Sequence, residues 1–207
     1  MITLRASSIG GCLRALIYQA NFVQGEPRGQ DSRLTLELGQ VMEPVILRQL
    51  KYKVEDAQIK LVLPINGRIQ IVGHPEGRQG TTLLEVKTMA AYSWKMAKKE
   101  GVMAYYPQYA MQNACYFAGF GGLVDRSEFI LFNKNTSKVK KQKYGYKDLR
   151  PFIRQVVQVA KIVEAFVSAG CMCSKPLDLK KWQCLEKYCQ FWLCEHNTGH
   201  KKYLERR

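Results

Sequence analysis

Runs and alternations of apolar residues predict a few strands set between longer helices. After Ser7 and Ser8, which suit N-cap positions, Cys12, Leu13, Leu16 and Ile17 recur at helical spacing. The stretch "VQGEPRGQDS" (23–32) has the Gly, Pro and polar content of a loop. Leu34, Leu38, Val41 and Val45 mark one face of a second helix, and Pro44 inside that pattern predicts a kink or break near Glu43. "IKLVLPI" and "RIQIVGH" read as strands joined by the hairpin signal "NG", and "TLLEVKT" as a third strand. Two helices follow, "AAYSWKMAKKE" and "AYYPQYAMQNACYFAG", the second with Pro107 tolerated in its first turn. "RSEFILFN" and "KVKKQKY" form a hairpin around "KNTS", and "DLRPFIRQVVQVAKIVEAFVSAG" is a long helix stopped at Gly170.

This order predicts an α/β (mixed α+β) fold, a mixed sheet flanked by helices. Residues 1–170 make up the core, and 171–207 a Cys-rich, basic segment expected to pack near the N-terminal helix. Regular βαβ alternation is absent, and so is a Gly-rich phosphate loop.

Composition changes the picture in two ways. Lys and Arg total 32 against 17 Asp and Glu, a formal net charge of +15. Such an excess favours polyanionic partners, because neutralising phosphates releases condensed counterions, although a solvated basic surface is the plainer alternative. Seven cysteines are present, five of them after position 170. An odd count without a signal-peptide apolar core argues against a disulfide scaffold, and the clustering points instead to metal. No apolar run approaches the roughly 18 residues that span a membrane, so a cytoplasmic protein is expected.

The segment "GHPEGRQGTTLLEVKT" (73–88) concentrates the candidate chemistry. If its turn centres on Gly80 and Thr81, Glu76 lies opposite Glu85, with Cβ atoms roughly 5 Å apart on one face. Lys87 shares that face, while Leu84 and Val86 point to the other. Two opposed carboxylates repel unless a cation lies between them; Lys87 supplies part of the charge and Mg²⁺ or Mn²⁺, which prefer oxygen donors, suits the rest. Taken alone, an E-x-K pair on a strand is as readily an exposed ion pair.

Its neighbours give it weight. An acid, a short hairpin, then "EVK" after two apolar residues resembles the core motif of the PD-(D/E)XK nucleases. "GQVMEP" (39–44) is similar to the G-x-x-x-E motif of their RecB-like branch, and "QNACY" (112–116) to its Q-x-x-x-Y motif. "SSIGGCLRALIY" (7–18) resembles the N-terminal segment of CRISPR-associated RecB-like nucleases and their viral relatives. The resemblance implies a restriction-endonuclease-like core, with Glu43, Glu76 and Glu85 ligating Mg²⁺ or Mn²⁺ and Lys87 assisting catalysis. Gln112 and Tyr116 would flank the site and position DNA. Glu76 stands where the family usually has Asp, and His74 is the nearest extra ligand, with a structural role the plainer reading. Gln108, Gln112 and Tyr116, four apart, share a helix face.

The same resemblance implies an iron–sulfur cluster, of the 4Fe-4S type among the possibilities, held by Cys12, Cys184, Cys189 and Cys194. The C-x₄-C-x₄-C spacing departs from the family's C-x-x-C, and residues five apart on a helix point about 140° from each other, so a broken helix would be required. Zinc on the three C-terminal cysteines with His196 or His200, and free buried thiols, are the alternatives. Lys134, Lys138, Lys140, Lys141, Lys143 and Lys147, with Tyr144 and Tyr146 interleaved, offer a surface for phosphates and unpaired bases, or a lysine-protected sheet edge. The expected function is a metal-dependent deoxyribonuclease, exonuclease or endonuclease, acting on single-stranded DNA or DNA ends, alone or as an oligomer. The alternative is a DNA-binding or complex-assembly module with weakened catalysis.

Overall fold

A computed structural model describes residues 1–27 and 29–170, together with Phe191, Cys194 and Glu205. The strands are β1 (Ile2–Arg5), β2 (Leu61–Pro64), β3 (Ile69–Gly73), β4 (Gly77–Gln79), β5 (Thr82–Met89), β6 (Arg126–Asn133) and β7 (Val139–Gly145). The helices are α1 (Leu13–Ala20), α2 (Gln30–Gln49), α3 (Ala91–Glu100), α4 (Val102–Tyr105), α5 (Pro107–Phe120) and α6 (Tyr146–Ser168).

The strands make two sheets rather than the one expected: β1-β3-β2 and β4-β5-β6-β7. Each is mixed, with β1 parallel to β3 and β5 parallel to β6. Both hairpins form where the turn residues place them, β2 against β3 and β6 against β7. The α3–α4–α5 stretch makes the crossover between β5 and its parallel neighbour β6, as parallel pairing demands.

β5 organises the molecule. Leu83, Leu84 and Val86 are fully buried, each worth about 1.5–3 kcal/mol over an exposed position. Leu84 and Val86 meet Ile130 and, from α2, Ile46 and Leu47. Leu83 and Met89 join the larger core with α5 and α6. Both faces of β5 are thus largely covered, and Glu85 lies in the interior rather than on a wet face. Pro107 takes the first position of α5, where its missing N–H is no loss. Asp148 accepts the Gly145 N–H at 2.9 Å to start α6, and Gly170, at φ 64°, ends it.

Three expectations are corrected. Ser7 and Ser8 sit in a 3-10 turn, and α1 begins only at Leu13, with Cys12 as its N-cap residue. α2 runs through Pro44, so of the expected kink or break the break does not occur; Ile46 and Leu47 beyond the proline are buried and offset the lost hydrogen bond. Its apolar stripe is not all covered: Leu34, Leu38 and Val41 are 55%, 53% and 63% exposed. Burial on α2 is confined to the turns that lie over Leu84 and Val86.

Phe191 and Cys194 pack against α1 through Tyr18, with ring centroids 5.4 Å apart for Tyr18 and Phe191. Among the described residues no helix is long and apolar enough to cross a membrane.

Candidate active site

β4 and β5 pair as Gly77 with Leu84, Arg78 with Leu83 and Gln79 with Thr82. One step beyond that ladder, Glu76 is carried across from Glu85, in the register the turn implied. Both are buried, 8% and 0% exposed. Gly77 makes the approach possible: its φ is 128°, and a Cβ there would lie 2.5 Å from Val54 Cγ1 and 2.7 Å from the Glu55 carbonyl oxygen. Glu55 and Arg78 exchange backbone hydrogen bonds of 2.7 and 2.8 Å, which fastens the hairpin to the preceding loop.

Lys87 Nζ lies 2.5 Å from Glu85 Oε1. It also donates to Gln112 Oε1 at 3.4 Å, and Gln112 Nε2 donates to the Tyr116 hydroxyl at 3.0 Å. Lys87 Nζ stands 5.0 Å from the centre of the Tyr109 ring, a cation–π contact. Gly73 admits Tyr116, since a Cβ there would fall 2.5 Å from Tyr116 Cε1 and 2.9 Å from Ala6 Cβ. The helix face turned to Lys87 is therefore Tyr109, Gln112 and Tyr116. Gln108 instead backs onto Gly10, whose added Cβ would meet Gln108 Cα at 2.5 Å.

These groups open into a cleft of about 1110 Å³ whose lining includes Glu43, His74, Glu76, Lys87, Gln112 and Tyr116. Glu43 comes from α2 and His74 follows β3; His74 is exposed and Glu43 half-buried. Glu85 lies beneath Lys87, with no surface of its own.

Electrostatics make the site short of positive charge. Burial, reinforced by Glu85, pushes the Glu76 carboxyl well above its ordinary range, with Lys87 opposing. Burial raises Glu43 too, again against Lys87 and with Glu85 adding. Burial disfavours the Lys87 ammonium, yet Glu85 and Glu76 outweigh it and hold the group above its ordinary range, so it stays cationic at neutral pH. Burial, with Glu85 next, raises the Tyr116 phenol, which keeps its proton.

Glu76 Oε2 and Glu85 Oε2 receive no hydrogen bond among the described residues, while Glu85 Oε1 is met by the Lys87 ammonium. Buried carboxylate oxygens left this way are costly unless a cation meets them. The oxygen-only donor set of Glu43, Glu76 and Glu85 fits a hard divalent cation. Among the described residues no three acidic, histidine or cysteine side chains are gathered into a ready-made cage.

The other sequence candidates lie elsewhere. Lys138, Lys140, Lys141 and Lys143 are exposed on or just before β7, but Lys141 and Lys143 turn towards buried Glu128, at 4.0 and 3.7 Å. Glu128 accepts the Tyr52 hydroxyl at 2.7 Å, and Lys141 Nζ sits 4.5 Å over the Tyr52 ring, which borders the cleft. Tyr144 is half-buried, its ring edge-on to Phe129 and its hydroxyl 2.9 Å from Gln142 Oε1. It faces the core rather than offering a stacking platform.

Of the cysteines, Cys194 is buried and receives an Arg14 N–H at 3.5 Å, and Cys115 is core. Cys171, Cys173, Cys184, Cys189, His196 and His200 lie outside the described residues. Sequence reading missed Tyr109, Tyr52 and Glu128. Tyr109 could have been found from its three-residue step to Gln112; Glu128 is a lone acid in an apolar strand, a signal in itself.

By sequence, no family model and no curated protein matches the chain. By structure, the protein SSO0001 is similar at a TM-score of 0.59 and 15% identity, over 95% of this chain and 88% of that one. The alkaline exonuclease LHK-Exo from Laribacter hongkongensis gives 0.58 at 16% identity, over 81% and 90%, and its complex with dAMP gives 0.59. A phage-related exonuclease from Haemophilus somnus 129PT gives 0.51 at 12% identity, over 82% and 96%. With two mixed sheets flanked by helices, the chain has a restriction-endonuclease-like fold.

Proposed function

We propose that the chain is a divalent-cation-dependent deoxyribonuclease of the RecB-like branch that acts on single-stranded DNA or DNA ends. The observation that carries this is the pair of buried carboxylates, Glu76 and Glu85, each with one oxygen that receives no hydrogen bond, beside the Lys87 ammonium at an open cleft. The exonuclease folds it resembles, one of them seen with dAMP, support the reading, and so does the net charge of +15.

Glu76 and Glu85, with Glu43 from α2, would hold Mg²⁺ or Mn²⁺. When bound, such a cation polarises a phosphodiester and lowers the pKa of water near it. Lys87 keeps its proton and so serves as a donor, not a base. It orients the attacking water or stabilises charge developing on the phosphate oxygens. Gln112 and Tyr109 hold Lys87 in place, and Tyr116 holds Gln112. Water adds to phosphorus, the bond from phosphorus to one ester oxygen breaks, and that oxygen leaves with a proton.

The test is incubation of end-labelled single-stranded DNA with the full chain in EDTA, Mg²⁺ or Mn²⁺. Labelled products with a cation and none in EDTA are expected. DNA binding without products under either cation would replace the nuclease with a binding module.

A further inference from the structure

The cleft is lined by Glu43 and Glu76, with Glu85 buried beneath Lys87, so three carboxyls stand against one ammonium there, a field that repels the polyanion it is meant to receive. Its walls carry the compensation. One wall is the solvent face of the β1-β3-β2 sheet, where alternation sends Leu4, Ile69 and Ile71 inward and leaves Thr3 and Arg5 exposed. Arg5 pairs in register with Val72, two residues before His74, so parallel pairing of β1 sets its guanidinium at the cleft. The other wall is α2, which lies over β5. Arg48 in its last turn lines the same cleft, one turn beyond Pro44.

Both arginines are exposed, and neither has an ion-pair or hydrogen-bond partner for its side chain among the described residues. That distinguishes them from Arg78, held by Glu55 and Asp56, and Arg126, held by Asp125. A guanidinium presents a fork of donors that matches two phosphate oxygens.

We infer that Arg5 and Arg48 form a two-walled clamp on the backbone phosphates of a single DNA strand, on either side of the acidic floor. The inference rests on the nuclease reading for its ligand, but not for its test. The clamp grips one backbone from two sides, so it discriminates for a single strand over a duplex. Positive charge elsewhere, including Lys138 and Lys140, remains available to either form.

The experiment is fluorescence anisotropy of a labelled single-stranded oligonucleotide, and of its duplex, with the full chain in EDTA over a range of salt. Each neutralised phosphate contributes about 0.7 to the slope of log affinity against log salt for single strands. Arg5→Ala and Arg48→Ala should each weaken single-strand binding about tenfold and flatten that slope by about 0.7. Duplex affinity should hold. Arg5→Lys and Arg48→Lys should keep the slope and recover only part of the affinity, since charge remains and the fork is lost. Arg33→Ala, exposed on α2 and outside the cleft, is the control and should change neither. Unchanged slopes, equal losses on duplex, or an equal loss with Arg33→Ala would overturn the clamp. If these variants cut DNA with unaltered KM, the clamp fails while the nuclease stands. If the slopes fall as expected but the wild type cuts nothing in Mg²⁺ or Mn²⁺, the nuclease fails while the clamp stands.

Discussion

Lys87 and Glu85 lie two residues apart on β5 with their charged atoms 2.5 Å from each other, the glutamate wholly buried and the lysine side chain 14% exposed. Leu84 and Val86, which alternate with the pair along the strand, anchor the opposite face. Breaking a buried pair by removing one partner typically costs about 3–5 kcal/mol, because the remaining charge is stranded. Lys87→Met should therefore destabilise the chain by about 3 kcal/mol. The double variant Lys87→Met with Glu85→Gln should cost clearly less than the two single changes added together. Urea unfolding of the four proteins measures this. Additive losses would mean that the two charges do not act as a pair.

The elevated Glu76 carboxyl fixes the sign of a pH effect. Its folded pKa lies well above the ordinary 4.5, so between those values the folded state holds a proton that the unfolded state has released. Its contribution makes stability fall as pH rises through that window, the reverse of a salt-bridged acid. A cation that occupies the site must displace this proton, so Mg²⁺ affinity should rise with pH and binding should release protons. Calorimetric titration with Mn²⁺ in buffers of different ionisation enthalpy reads the release. Glu76→Gln should bind more weakly and release less.

Gly73 gives a steric prediction. A methyl at this position meets both the Tyr116 ring and Ala6, so Gly73→Ala should cost about 1–3 kcal/mol by overpacking. Combining it with Tyr116→Ala should recover part of that loss. Thermal melts of the single and double variants test the coupling.

Much of the site was legible beforehand, for identifiable reasons. The turn at Gly80 and Thr81 fixes the hairpin register, and period-2 alternation then places Glu76, Glu85 and Lys87 without further information. Glu43, Gln112 and Tyr116 came from motif spacing and do reach one cleft. What was missed depends on partners that spacing cannot name. The four-residue β1 carries too little pattern to be seen, yet its pairing with β3 brings Arg5 to the cleft. The stripe on α2 shows an amphipathic face but not whether anything covers Leu34 and Leu38. Counting back from Gln112 by four gave Gln108, whereas the α5 packing turns Tyr109, three back, towards Lys87.

Tyr109 should matter through that contact. Tyr109→Phe keeps the ring and should retain most activity, whereas Tyr109→Leu removes the cation–π contact, worth about 0.5–2 kcal/mol. The expected result is a fall in kcat of about twofold to thirtyfold with little change in KM. Steady-state cleavage kinetics of both variants, with thermal melts, separate this from a packing defect, which would lower the Tm of Tyr109→Leu.

The most direct test of the nuclease is cleavage of end-labelled single-stranded DNA across a Mg²⁺ and Mn²⁺ titration, with wild type and Glu85→Gln compared under conditions where both are folded. The wild type should yield products that rise with cation and vanish in EDTA, and Glu85→Gln should fall by about 100-fold or more. Equal cleavage by Glu85→Gln, or wild-type cleavage indifferent to the cation, would contradict the assignment of the buried carboxylates to the chemistry.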